Sequence, residues 1–150
     1  MIPPTTDQPA NRKQPTATGP STSQEIYLIT GIPAAGKSTI AQLLAERLPR
    51  SVHVREDLFR LMVVNSRAEM TADPSEEAVR LLRLRHQLTA QTIDSYFDNG
   101  FTVVAQDVIL GENLARMIAQ IRSRPLHVIA LTPHPDAIAA ALQTRTGRQS

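Results

Sequence analysis

The chain has 150 residues, a formal net charge of +2, no cysteine and only 3% aromatic residues. That length bounds it at a single domain. The missing cysteines exclude disulfides and thiolate metal sites. The weak, dispersed charge and scarce aromatics provide neither the basic stripe nor the stacking surface expected of a nucleic-acid binder.

No stretch approaches the ~18 apolar residues that cross a bilayer, and none has the apolar core of a signal peptide, so a cytoplasmic protein with no membrane partner is expected. Residues 1–24 hold five prolines and almost no large apolar groups. Such a composition cannot bury enough surface to offset the entropy of ordering. A disordered tail is expected there, leaving residues 25–150 to fold.

Ile26-Tyr27-Leu28-Ile29-Thr30 is a short apolar, β-branched run that reads as a buried strand. The run Gly31-Ile32-Pro33-Ala34-Ala35-Gly36-Lys37-Ser38-Thr39 follows, a full match to G-x-x-x-x-G-K-[S/T]. Ile40, Leu43, Leu44 and Leu48 then recur at helical spacing until Pro49 stops the pattern. In a strand–loop–helix setting, backbone N–H groups of the loop and the positive end of the helix form an anion site. Lys37 is placed to reach the β- and γ-phosphate oxygens of a nucleoside triphosphate, and Ser38 to put its hydroxyl on Mg²⁺.

Further along, Ser51–Val54 reads as a short second strand, followed by Asp57 and a short helix over residues 58–64. Asp73-Pro74 marks a turn. Ser75, Glu77 and Ala78 open a long helix that runs to Asn99-Gly100, with Ala78, Leu81, Leu82, Leu88, Ile93, Tyr96 and Phe97 as its apolar stripe. Phe101–Gln106 is the third strand and ends at Asp107. Residues 112–123 form a helix with Leu114, Met117, Ile118 and Ile121 on one face. Leu126–Leu131 is the fourth strand, and Pro135 opens a last, alanine-rich helix. The alternation predicts a doubly wound α/β fold, a parallel sheet covered on both faces, with strand order 2-3-1-4. Ligands of such sheets bind beyond the carboxyl ends of the strands, where Gly31–Lys37, Asp57 and Asp107 all fall.

Asp107, at the end of an apolar strand, is suited to hold Mg²⁺ opposite Ser38, to bind or deprotonate an acceptor, or simply to cap the next loop. Gln106 beside it departs from an all-apolar strand end. Asp57 lies where a carboxylate can accept the proton of an acceptor hydroxyl, and equally where an N-cap is expected. Glu56 is the less well placed of the two. Arg85 falls in the middle of the long helix's apolar stripe, three and four residues after Leu82 and Leu81. An inward guanidinium requires an anion: a phosphate, or the carboxylate of Asp57 or Asp107. Arg60, one turn from Asp57, either clamps an acceptor or phosphate or sits on the surface. His53, His86, His127 and His134 show no ligand spacing and are read as structural.

On these residues the chain resembles the small P-loop kinases of the chloramphenicol-phosphotransferase and zeta-toxin type, over roughly residues 25–145. The resemblance is carried by Gly31–Thr39, Val54-Arg-Glu-Asp57-Leu-Phe-Arg60, Leu84-Arg85, Val103-Val-Ala-Gln-Asp107-Val-Ile-Leu-Gly111 and the strand Pro125–Pro133. It implies a P-loop kinase domain that transfers the γ-phosphate of ATP to a small-molecule hydroxyl with Mg²⁺. Lys37 and Ser38 would handle phosphate and metal and Asp57 would act as base, with Arg60, Arg85 and Asp107 around acceptor and phosphates. Kinases of this shape carry a mobile lid with arginines where Arg145 and Arg148 fall. Ala139–Leu142 lacks the first lid arginine, and no fifth strand precedes Ser150. The resemblance therefore implies a C-terminally short domain with Leu126–Leu131 as an apolar edge open to self-association. It leaves an active small-molecule phosphotransferase, a nucleotide-binding remnant or interaction module, and a nucleotide-sugar or polynucleotide kinase, of which the polynucleotide version ranks last for want of stacking surface.

Overall fold

The computed structural model describes residues 23–32, 36–109, 111–132 and 136. The tail expected over residues 1–24 therefore lies almost entirely outside the described residues. So do Pro33–Ala35 of the phosphate-loop motif, nearly all of the helix opened by Pro135, and both Arg145 and Arg148.

The elements run β1 (Ile26–Gly31), α1 (Lys37–Arg47), β2 (Ser51–Arg55), α2 (Asp57–Met62), α3 (Glu76–Asp98), β3 (Thr102–Asp107), α4 (Glu112–Gln120) and β4 (Leu126–Leu131). The described strands form one parallel sheet in the order β2-β3-β1-β4. Parallel neighbours need crossovers, and helices supply them. The register pairs Thr30 with Asp107, Gly31 with Leu131 and Arg55 with Gln106, so the carboxyl ends of all four strands meet along one edge of the sheet.

Side chains alternate across each strand and divide the core in two. Ile26, Leu28, Val103 and Ala105 face α3 and α4, where Ala90, Ile93, Met117 and Ile121 close over them. Ile29 and Val104 face α1 and meet Ala41 and Ala45. Every residue of β3 is buried, as befits an inner strand with both faces covered. Ile93 is fully buried in the larger core. Ile93→Ala should cost about 2–5 kcal/mol in a urea melt, from lost transfer energy plus the cavity left behind.

Local signals explain the element ends. Ser75 caps α3 by accepting from the Ala78 amide at 3.1 Å, and Gly100 takes a left-handed φ of 90° just past the helix end. On α1 the apolar face is not the one expected. Ile40 and Leu43 are 42% and 49% exposed, while Ala41 and Ala45 are buried, with Leu44 and Leu48 beside them. Close approach to the sheet selects the small residues, and the larger ones are left outside. On α3 the buried line is Ala78, His86, Thr89, Ala90 and Ile93. Tyr96 is exposed, and Leu81, Leu82 and Leu88 are only half-buried. β4 is an edge among the described strands and is only partly covered. No described helix is long and apolar enough to cross a membrane.

Candidate active site

β1 delivers Gly31 to the carboxyl edge of the sheet, and the chain re-enters regular structure at Gly36. Gly36 caps α1 with φ 79°, a conformation that suits glycine because no Cβ stands in the way. Lys37 is the first residue of α1, and its Nζ donates to the Ile32 carbonyl at 3.0 Å, tying the start of the loop to the start of the helix. No acidic side chain lies in the first turn of α1. The positive helix end is thus not offset by a carboxylate of its own, as an anion site requires. Ser38 and Thr39 are exposed beside it.

Opposite this loop, Asp107 ends β3 with 1% of its surface exposed. Two consecutive residues of α3 bracket its carboxylate. Arg85 Nη2 lies 3.9 Å from Oδ1 and His86 Nε2 lies 3.4 Å from Oδ2. Neither oxygen makes an aligned hydrogen bond among the described residues. Glu56, just after β2, places Oε2 2.8 Å from Arg85 Nε, with both side chains largely buried. Two carboxylates thus share one guanidinium in a dry setting, and the excess negative charge is costly. Burial, followed by repulsion from Glu56, pushes Asp107 up to about 7, against the pull of Arg85, the Val108 amide and Lys37. Burial likewise raises Glu56, with Arg85 opposing. His86 is held down at about 4, chiefly by burial and then by Arg85.

Asp57 occupies the first turn of α2. Its Oδ2 accepts from Arg55 Nη2 at 3.2 Å, while Oδ1 is buried without a hydrogen-bond partner among the described residues. The capping position belongs to Glu56, whose side chain makes no cap bond. Arg60, one turn on, donates from Nη1 to Glu69 Oε1 at 2.8 Å on the surface. It also lines a cavity between α2 and α3.

The sheet edge therefore gathers Lys37, Asp107, Arg85 and Glu56, with Asp57 adjacent. Arg60 is turned to the neighbouring cavity. Of the two carboxylates expected beside Arg85, Asp107 is there and Asp57 is not; Glu56 takes its place. Which of two consecutive acids turns inward depends on the rotation of the β2–α2 turn, and nothing in the local sequence encodes it.

His86, read as a plain structural histidine, stands against Asp107. Its spacing of four from Leu82 and eight from Ala78 is the signal that puts it on the buried line of α3. Thr30 carries no motif signal in the sequence. Its hydroxyl donates to the Ile109 carbonyl at 2.7 Å and accepts from the Ile109 amide at 3.3 Å, pinning the backbone just beyond Asp107. Gln106, the odd polar residue of β3, lies 3.1 Å from His53 Nε2, and His53 Nδ1 is 2.8 Å from Gln42 Oε1. This chain of contacts joins β3, β2 and α1 behind the loop.

Comparison with known proteins places this arrangement. A UPF0200 protein of Aeropyrum pernix is 36% identical over 63 residues, covering 42% of this chain and about a third (34%) of that protein. A sugar kinase structure from Janibacter sp. HTCC2649 superposes with a TM-score of 0.59 at 16% identity, covering 82% of this chain and 68% of that one. A chain of the Pnkp1/Rnl/Hen1 RNA repair complex gives 0.62 at 18% identity, covering 86% of this chain and 40% of that one. At such identities the structural likeness speaks for the fold, which is that of the P-loop kinases. The family model described as an AAA domain matches residues 26–150, and the chain belongs to that family.

Proposed function

We propose that the chain binds Mg·ATP and transfers the γ-phosphate to a hydroxyl group of a small molecule. The observation that carries this reading is that Lys37, at the start of α1, acts electrostatically on the buried acids Asp107 and Glu56, which share Arg85 at one edge of a parallel sheet. Residues 31–39 form the nucleotide site, with Lys37 on the β/γ-phosphates.

The donor set fits a divalent cation. Asp107 offers two buried oxygens that make no aligned hydrogen bond among the described residues, and Ser38, near the start of α1, would add its hydroxyl. Hard cations of this kind take oxygen ligands from one or two carboxylates plus the phosphates. When bound, Mg²⁺ neutralises charge on the β- and γ-phosphates. Arg85 provides fixed positive charge beside the same site, and Glu56 holds its guanidinium in place.

Asp57 is assigned as the base. Its Oδ1 lacks a partner among the described residues, and Arg55 fixes the other oxygen. The acceptor oxygen forms the new bond to phosphorus and its proton passes to Asp57. The bond from phosphorus to the β-phosphate oxygen breaks, and ADP departs with the electron pair. Positioning and charge neutralisation supply the acceleration, without a covalent intermediate.

Titration calorimetry with Mg·ATP tests the nucleotide half of this reading: saturable binding is expected, and its absence from a folded sample would sink the proposal. Asp57→Asn should lower phosphate transfer by roughly 10²–10⁴-fold while leaving Mg·ATP affinity unchanged. Loss of ATP affinity in that variant would move Asp57 to the nucleotide side. Binding without transfer to any hydroxyl compound would make the chain a nucleotide-binding module.

A further inference from the structure

Between α2, the segment after it and α3 lies a cavity of about 270 Å³ that the site described above does not use. Its walls are apolar: Phe59, Met62, Met70, Leu81, Leu82 and Leu88 line it, and charge is confined to Arg60, Arg67, Glu69 and Arg85. Glu69 takes up two of those charges, lying 2.8 Å from Arg60 and 3.5 Å from Arg67. Arg85 belongs to both places. It lines the cavity, and its Nε reaches Glu56, the neighbour of Asp57 in the chain. Arg85 therefore forms a wall shared by the cavity and the acid cluster.

The apolar lining does not stop at the mouth. Met62, Met70 and Leu84 line the cavity and are nevertheless 72%, 45% and 42% exposed. Leu61 and Val64, beside Met62 in the chain, are 51% and 87% exposed. An apolar track thus runs from the charged cluster through the cavity and out onto the surface. A cavity of about 270 Å³ has room for a chain of several methylene groups. The unbranched, polarisable methionines at its mouth adapt to a flexible occupant.

An acceptor polar along its whole length would leave groups unpaired against Phe59, Met62, Met70, Leu81, Leu82 and Leu88, which make up most of this lining. Phe59 is its one aromatic, too little for a row of stacked bases.

The geometry points to an alcohol on an aliphatic chain as the acceptor: the hydroxyl lies by Asp57 and Arg85, and the chain fills the cavity and leaves over Met62 and Met70. This rests on the phosphotransfer reading for the fate of the hydroxyl, but the binding of the chain is measured without nucleotide.

The probes are 1-butanol, 1-hexanol and 1-octanol, titrated into the intact protein and followed by amide NMR shifts of residues 59–63 and 81–88. Affinity should rise about fourfold per methylene until the cavity is full. Met62→Glu, at an exposed position that does not threaten folding, should weaken 1-octanol at least about tenfold with Mg·ATP affinity unchanged. Leu82→Trp, which fills the cavity, should do the same. Should Leu82→Trp fail to fold, Met62→Glu decides.

With Mg·ATP added, octyl phosphate should form, detected by mass spectrometry. A flat chain-length series, or shifts produced by sorbitol or a 5′-hydroxyl oligonucleotide instead, would overturn the assignment. Octanol binding without Mg·ATP binding would overturn the kinase reading and leave the cavity assignment standing. Mg·ATP binding without octanol binding would do the reverse.

Discussion

Lys37→Ala should lower the proposed phosphate transfer by at least about a hundredfold, the loss typical of removing one preorganised charge from a developing phosphoryl centre. Lys37 is the first residue of α1, and its ammonium already spans the loop to the Ile32 carbonyl. The substitution would therefore remove a charge from the proposed phosphate site and the tie to the Ile32 carbonyl together. Mg·ATP affinity should fall with it, because the loop loses both the attraction and part of its preorganisation. Calorimetry on the variant separates these effects from misfolding, provided that its far-UV circular dichroism matches the parent. Full activity in Lys37→Ala would remove the Gly31–Thr39 loop from the mechanism.

Asp107→Asn should make the protein more stable at pH 8 while abolishing turnover. Asp107 is raised from 3.8 to about 7, so the folded state keeps a proton that the unfolded chain releases. Its contribution to stability therefore falls as pH rises from about 4 to about 7 and is constant above that. The shift sets the cost of ionising Asp107 in place on the order of 4 kcal/mol at most. An asparagine amide returns part of that gain through its own unmet hydrogen bonds. A net gain of roughly 1–3 kcal/mol is expected, or about 3–10 °C in melting temperature.

His86 gives the pH profile a second signature. Its folded value of about 4 lies below the ordinary 6.5, so it costs stability as pH falls from 6.5 towards 4. In the parent the two slopes oppose one another between about pH 4 and 6.5. In Asp107→Asn the His86 slope remains, and stability should climb with pH across that range. A variant no more stable than the parent at pH 8 would show that Asp107 ionises without penalty, and the charge-excess account of the cluster would be wrong. The expected trade has a plain cause: buried carboxylate oxygens without aligned hydrogen bonds among the described residues suit a cation and cost the folded chain.

Much of this protein is written locally. The apolar run Ile26–Thr30, the capping Ser75, the turn at Gly100 and the fully apolar Val103–Ala105 are signals carried by neighbouring residues, and short-range sterics and hydrogen bonding suffice to express them. Strand–helix alternation then leaves few topologies, and the strand order follows. An arginine at the centre of an apolar helical stripe likewise announces a buried anionic partner before any coordinates are known.

Which anion that partner is, the sequence did not determine. Glu56 and Asp57 are adjacent acids, and only the turn between β2 and α2 decides that Glu56 meets Arg85 while Asp57 pairs with Arg55. The small residues of α1 are buried and its larger ones exposed because the helix lies close on the sheet, a distance that periodicity does not contain. His86 and Asp107 stand 21 residues apart in the chain and 3.4 Å apart in space. Contacts of that kind, and the desolvation that moves both groups' proton affinities, exist only once α3 has packed across β3.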